Sequence, residues 1–451
     1  MLYWLFVLIW FFCGIQILRN NGITRMCYFF VGIFFVPSVL KIIPQALLMG
    51  HTFYATTFIV SMFRFRELKL ETFLSCPFFY SQFFILLASL LIGIFDFRIG
   101  VPLGLLRGIT SFVSSYFLFF VGWVSLTSAS QADFVSNDTS AIKEQTFFER
   151  ILPLIMPILL FGVWSAFSRS NPILDAVGLN GRFFYENMDN FRSFRVTGAC
   201  VSSSVYGLAC ATLFLCSFFL TRYRTKTMIF TMILLLVNLA LSATRAAIIP
   251  FLIGLCTFII LNKNISNVAQ KSIISILVLL LIISPLLPHF INDFISQLLD
   301  SVMDVFLPSG SGGTKYGGSN VDAREMQIMA AFQYLKQKPF FGHGFAYFAE
   351  VISHGKKHQE LLGMESYLCI IGVEYGLIYL ITIIAFYVQC FIYFWRSRVY
   401  NKLYSDLGLS LITMFIPFLI FAWVGGCWFF FLPLLGYVAK AIYISKNEQI
   451  V

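Results

Sequence analysis

Arg245 is the only charged residue between positions 228 and 262, in a run that is otherwise apolar. As a single helix that run would be roughly 52 Å long against a hydrocarbon core of about 30 Å, so it must turn. The turn falls at Leu241-Ser242-Ala243-Thr244-Arg245-Ala246. A guanidinium held at the ends of two helices with almost no loop is costly to desolvate unless an anion pairs with it, and a phosphate fits that demand. The alternative is an arginine that snorkels to the interface or meets an internal acid. A second arginine, Arg195, stands in Phe194-Arg195-Val196-Thr197-Gly198 just before another apolar run. Two guanidiniums at one depth could clamp a diphosphate, because the planar fork gives bidentate hydrogen bonds at any working pH. Taken alone, Arg195 reads as an interface anchor.

A carboxylate provides the complementary chemistry. Glu365 sits at the lip of an apolar run, and helical spacing puts it on one face with Cys369, Gly372 and Gly376, while Glu374 points nearly opposite. A small-residue face admits another helix or a lipid chain, and Glu365 at its top could take a proton from a substrate hydroxyl. It could equally be a solvated acid favoured by the helix dipole. His343, His354 and His358 invite a zinc reading, but Gly355-Lys356-Lys357 between the last two is a poor helix core and repels a cation. His358 or His354 is instead the alternative base to Glu365. Gly342-His343-Gly344 reads as a tight turn and not as a nucleotide loop. Aromatics such as Tyr316, Tyr334 and Phe345 could stack on a ring substrate, although nothing selects them.

The elements that must position these groups follow from composition. With 59% hydrophobic and 12% charged residues, the 451-residue chain cannot hide its apolar side chains in a soluble core. Runs of about 20 apolar residues without alternation exclude a barrel and predict an all-α polytopic membrane protein. Spans are expected near 1–18, 26–49, 73–95, 101–125, 151–168, 199–220, 228–244, 246–262, 271–288, 366–394, 405–422 and 426–443, about twelve in all. The stretch 26–63 could instead hold two shorter spans broken at Lys41 and Pro44. The first run lacks a basic leader and a cleavage site, and so reads as a retained span.

The net charge of +10 is carried by short basic clusters at Arg64, Arg66 and Lys69; Arg222, Arg224 and Lys226; Lys263 and Lys271; and Arg396, Arg398 and Lys402. These mark a cytoplasmic side and remove the need for a nucleic-acid partner. Counting spans from there leaves 169–198 and 289–365 as external loops on one membrane domain covering 1–451, the larger loop being the expected catalytic one. Within it, 309–319 is rich in Gly and Ser, and 321–337 places Ile328, Phe332 and Leu335 at helical spacing, ending before Pro339. The ten cysteines show neither a disulfide framework nor metal spacing.

Several separated segments resemble the O-antigen polymerase and O-antigen ligase superfamily of bacterial envelope glycosyltransferases, over roughly residues 190–380. They are Arg195-Val196-Thr197-Gly198; Leu241 to Ala246; Arg324 with Pro339-Phe340-Phe341-Gly342-His343-Gly344-Phe345; and Glu365-Ser366-Tyr367-Leu368 followed by Gly372-Val373-Glu374-Tyr375-Gly376-Leu377-Ile378. The resemblance implies a C-type, metal-independent and inverting glycosyltransferase of the bacterial inner membrane, working at its periplasmic face on glycans carried by undecaprenyl diphosphate. It implies diphosphate contacts at Arg195, Arg245 and Arg324; the base, read from the residues themselves, is expected at Glu365 with His358 as the alternative, and no cofactor is expected beyond the lipid carrier in the substrate. Membrane lipids, a chain-length regulator and a flippase are the implied partners. The ligase branch has a His-Asn pair where this chain has Glu365-Ser366, a departure that favours a polymerase of O-antigen, capsule or exopolysaccharide. A ligase is the alternative within enzymes. A flippase, from a different class, would be expected to hold its charges near the bilayer midplane in broken helices and related halves.

Overall fold

The computed structural model describes residues 2–448 apart from 37–38, 44–45, 68, 127–139, 177–194, 201, 222–224, 262–320, 355–360, 362–363, 365 and 422–426. The chain is predominantly helical, as its composition requires. In order come α1 (Leu2–Arg19), α2 (Gly22–Phe35), β1 (Val39–Ile43), β2 (Ala46–Met49), α3 (Gly50–Arg64), α4 (Leu70–Leu74), α5 (Phe79–Phe95), α6 (Val101–Val113) and α7 (Leu118–Ser125). They are followed by α8 (Ser140–Ser168), α9 (Pro172–Ala176), α10 (Ser203–Leu220), α11 (Lys226–Leu241), α12 (Arg245–Leu261), α13 (Val321–Gln337), α14 (Tyr367–Arg396), α15 (Lys402–Phe421) and α16 (Trp428–Glu448). A π-helical turn, Phe348–His354, precedes α14.

Among the described residues, five helices are long and apolar enough to cross a membrane alone: most of α8, then α10, α14, α15 and α16. The α6–α7 pair, bent by 43°, is a sixth if it crosses as one span, and five shorter apolar helices accompany them. The bend has a local cause. Ser114 and Ser115 turn their hydroxyls back onto the carbonyls of Thr110 and Ser111, which competes with the helical ladder.

The expected single span over 26–49 is not what forms. Helix α2 stops at Phe35, and β1 pairs antiparallel with β2, Val39 opposite Met49 and Leu40 opposite Leu48, before α3 begins. Lys41 and Pro44 explain the difference: a lysine inside a lipid-facing helix is costly, and a proline removes an amide donor from the ladder. The expected span at 271–288 lies outside the described residues.

One apolar core runs through the bundle, rich in aromatic rings such as Phe78, Phe119, Phe386, Phe415 and Trp428. Its tightest crossings are made by glycine. Gly93 of α5 faces Gly104 of α6, and Gly122 of α7 faces α16 at Pro433, each close enough that a Cβ would collide with a carbonyl. Small residues let helix backbones approach where apolar burial cannot drive association. Two buried ion pairs sit in the bundle, Arg25 at the face of Phe58 with Glu67 at 2.6 Å and Arg398 with Asp406 at 2.7 Å, while buried Lys440 lies over the Trp123 and Tyr443 rings.

A second, smaller core joins α13 to the start of α14 through Ala331, Tyr334, Tyr347, Ile352, Leu361, Met364, Ile370 and Val373. Helix α13 ends at Gln337, before Pro339, as expected, but its buried face is Ala331, Tyr334 and Leu335, whereas Phe332 is 57% exposed. Several apolar stripes fit one short helix, and the partner surface decided between them.

The α5–α6 crossing is tested by Gly104→Val. Forcing a branched side chain against the Gly93 carbonyl should cost roughly 1–3 kcal/mol. The purified protein should therefore melt several degrees lower in detergent than the parent, and an unchanged melting temperature would mean that the two helices do not cross at these glycines.

Candidate functional site

The α11–α12 turn is as short as the sequence required. Helix α11 ends at Leu241, Ala243 takes a positive φ of 48°, the Ser242 and Thr244 hydroxyls lie 3.1 Å apart, and Arg245 opens α12. The stretch carrying Arg195 is tied to that turn, because the Val196 amide donates to the Leu241 carbonyl at 2.9 Å. Asn171 holds the stretch from its other side, donating to the Thr197 hydroxyl at 2.9 Å and to the Gly198 carbonyl at 3.0 Å. Gly198, at φ +55°, lies flat against the Tyr206 ring, whose hydroxyl donates to Asn238 of α11 at 3.0 Å.

These contacts bring Arg195 and Arg245 together. Burial, and next the charge of Arg245, push the Arg195 guanidinium down to about 10, still cationic at neutral pH. Its Nε is buried without a hydrogen-bond partner among the described residues. Burial and a neighbouring guanidinium both weigh against the charge on Arg195, a disposition that a bound anion would relieve.

The second assembly is built on a broken helix. Gly376, inside α14, has φ 76° and ψ −177°, so the single helical face expected through Cys369, Gly372 and Gly376 is interrupted there. The loop 339–344 enters the break. His343 and Gly344 donate their amides to the Val373 and Glu374 carbonyls at 2.9 and 2.8 Å, while Leu377 donates to the Pro339 carbonyl at 2.7 Å. The groups that a helix break orphans are thus satisfied by another segment, as a nonpolar surrounding demands. The turn at Gly342-His343-Gly344 is real, with φ of 65° and 100° at its glycines, and a Cβ on Gly342 would strike the Glu374 carbonyl. Glu374 lies on the loop side, its Oε1 accepting the Phe348 amide at 2.8 Å.

The loop is gripped from its other side by two residues that the sequence reading passed over. At the α5–α6 turn, Asp96 Oδ2 accepts the Phe345 amide at 2.9 Å and Arg98 Nη2 donates to the Phe345 carbonyl at 2.7 Å. Arg98 also binds Asp96 through Nε and Nη2, at 3.0 and 2.9 Å. Arg107 of α6 meets Glu350 at 3.1 Å, and Phe95 stacks on Phe341 at 4.1 Å. An Asp and an Arg two positions apart, directly after an apolar run, were the available signal.

Of the other expected site residues, Glu365, His358, Tyr316 and the 309–319 arm lie outside the described residues, as do the side chains of Arg324 and His354. His343 is placed: its Nε2 lies 3.1 Å from the Tyr334 carbonyl, which can only accept, and its ring stacks on Tyr347 at 4.7 Å. It holds the turn. Tyr334 and Phe345 are buried, so neither offers a free ring to a substrate.

Residues 230–384 match a protein-family model described as O-antigen ligase. Over this segment the chain is similar to that family. The segment contains Arg245, α13, the docked loop and the break at Gly376, while Arg195, Asp96 and Arg98 lie outside it. A comparison with curated proteins gives no significant match. Over that segment the chain is similar to the O-antigen ligase family, and its long apolar helices are those of a membrane protein.

The arginine pair makes a prediction that needs no assay of turnover. Arg195→Met keeps the side-chain volume and removes a desolvated like charge, so the anion-free protein should melt at the same temperature as the parent or higher. Added inorganic pyrophosphate should raise the melting temperature of the parent by mass action and leave the variant unmoved. A variant stabilised as much as the parent would take Arg195 out of the anion site.

Proposed function

We propose that the protein is an envelope-polysaccharide polymerase, transferring a growing glycan from undecaprenyl diphosphate to a lipid-linked repeat unit at the outer face of the bacterial cytoplasmic membrane. The observation that carries this reading is the meeting of Arg195 and Arg245 at the α11–α12 turn, beside and within the segment that matches the O-antigen ligase family.

In the proposed reaction the acceptor hydroxyl oxygen attacks the anomeric carbon of the donor glycan. The bond from that carbon to the diphosphate oxygen breaks, and undecaprenyl diphosphate leaves with both bonding electrons. Arg195 and Arg245, with Arg324 as a further contact, stabilise the charge that develops on the leaving diphosphate, a role that grows between ground state and transition state. Glu365 receives the acceptor proton, and attack opposite the leaving group inverts the anomeric centre. His358 is the alternative base. The external loops 169–198 and 289–365 of the single membrane domain would restrict water while polymer passes. No cofactor enters the step. A chain-length regulator and a flippase are the proposed protein partners, and lipid-linked glycan and membrane lipids the molecular ones.

The matched family's description favours a second reading, an O-antigen ligase that moves finished polymer to a lipid A core acceptor. The same arginines would serve it. Glu365-Ser366, where the ligase branch has His-Asn, weighs towards the polymerase.

In a strain lacking the protein, surface glycan limited to a single repeat unit is the expected result. Long polymer stranded on undecaprenyl diphosphate would establish the ligase instead, and single units trapped on the cytoplasmic face would indicate a flippase and sink the catalytic assignments. Arg245→Lys keeps charge but loses the fork, and polymer should fall at least tenfold, which gel analysis of surface glycan reads directly. Glu365→Gln should abolish polymer with unchanged membrane levels, and an active variant would move the base role to His358.

A further inference from the structure

The turn between α5 and α6 reaches across 247 positions of sequence to grip one residue of the loop. What it grips is backbone. Asp96 addresses the Phe345 amide and Arg98 the Phe345 carbonyl, while the two side chains hold each other through two further hydrogen bonds. The pair therefore acts as a strand edge would, presenting one acceptor and one donor in fixed order. Gly344, at φ +100°, makes room for it, because a Cβ there would collide with the Asp96 carboxylate and the Arg98 guanidinium. Asp96 is buried at 4% exposure, so its charge is held in a place where, among the described residues, Arg98 and the Phe345 amide satisfy it.

The gripped loop belongs to a larger unit. Loop 339–344 plugs the break in α14, Phe348 hangs from Glu374, and the small core welds α13 to the start of α14. That unit includes α13, whose sequence carries Arg324. We infer that Asp96 and Arg98 are positioning residues for the glycosyl transfer, setting this unit against the bundle through Phe345 so that the diphosphate contacts and the base meet one substrate. The inference rests on the polymerase or ligase reading and deepens it: a turn of the N-terminal region, outside the matched segment, completes the site. Glu350 with Arg107 adds a weaker tie, since both side chains are more than a third exposed to water.

The test uses the full chain with three substitutions, Arg98→Lys, Asp96→Asn and the double exchange Asp96→Arg with Arg98→Asp. Surface polymer is read in cells, and hydrogen exchange of peptides spanning 340–350 on the purified protein. The double exchange separates the two roles. An ordinary ion pair would be restored by it, whereas a clasp that reads the backbone would then present a donor to the Phe345 amide and an acceptor to its carbonyl. The expected result is polymer reduced at least tenfold in all three, faster exchange at 340–350, and wild-type exchange in α10 to α12. Wild-type polymer in the double exchange, or a loosened loop with full polymer, would overturn the inference. Should the double exchange fail to accumulate, Arg98→Lys, which keeps the charge, carries the comparison alone. An unchanged glycan in the deletion strain would remove the reading on which the role rests, while a deletion defect with normal polymer in the variants would remove only the clasp.

Discussion

A helix that breaks inside an apolar bundle must find new partners for its peptide groups, and the site is organised around that constraint at Gly376. Each unpaired amide or carbonyl in hydrocarbon costs several kcal/mol, so an unplugged break would not persist. The plug here is backbone from 339–344, which donates to two carbonyls and accepts from Leu377. Only glycine tolerates both the close approach and the positive φ at Gly342 and Gly376. The loop thus takes part in the membrane bundle, and its approach fixes where α13 can lie.

The charges around the plug follow from the same low dielectric. Arg98 divides its donors between the Asp96 carboxylate and the Phe345 carbonyl, and Asp96 divides its oxygens between Arg98 and the Phe345 amide. Such a closed set loses little on burial because each member satisfies another. Glu374 obeys the same rule through the Phe348 amide. The α5–α6 hairpin can deliver Asp96 and Arg98 because Gly93 and Gly104 let its helices touch.

Sequence reasoning reached what composition and period dictate. Membrane class, most helix positions, the hairpin at Arg245 and the glycine turn at 342–344 were all legible, since each depends on local chemistry. The break at Gly376 was not, because a glycine within an apolar run is equally compatible with a close-packed helix face, and only the distant loop decides between them. The buried face of α13 escaped for a related reason: Phe332 and Leu335 are equally apolar, yet Leu335 is buried and Tyr334 packs with Tyr347 and Ile370, whereas Phe332 faces outward. Asp96 and Arg98 read locally as a solvated pair at the end of a span. Their partner lies in another element, and such pairings leave no periodic trace in one sequence.

The contrast between the two charged assemblies bears on function. At Asp96 and Arg98, at Arg25 and Glu67, and at Arg398 and Asp406, each buried charge faces an opposite one, the arrangement that stability alone would select. Arg195 breaks the pattern, since the charge that acts on it is a second guanidinium and its Nε has no described hydrogen-bond partner. An anion bound beside Arg195 would offset that repulsion, and in the proposed reaction it would do so most where negative charge accumulates on the departing diphosphate.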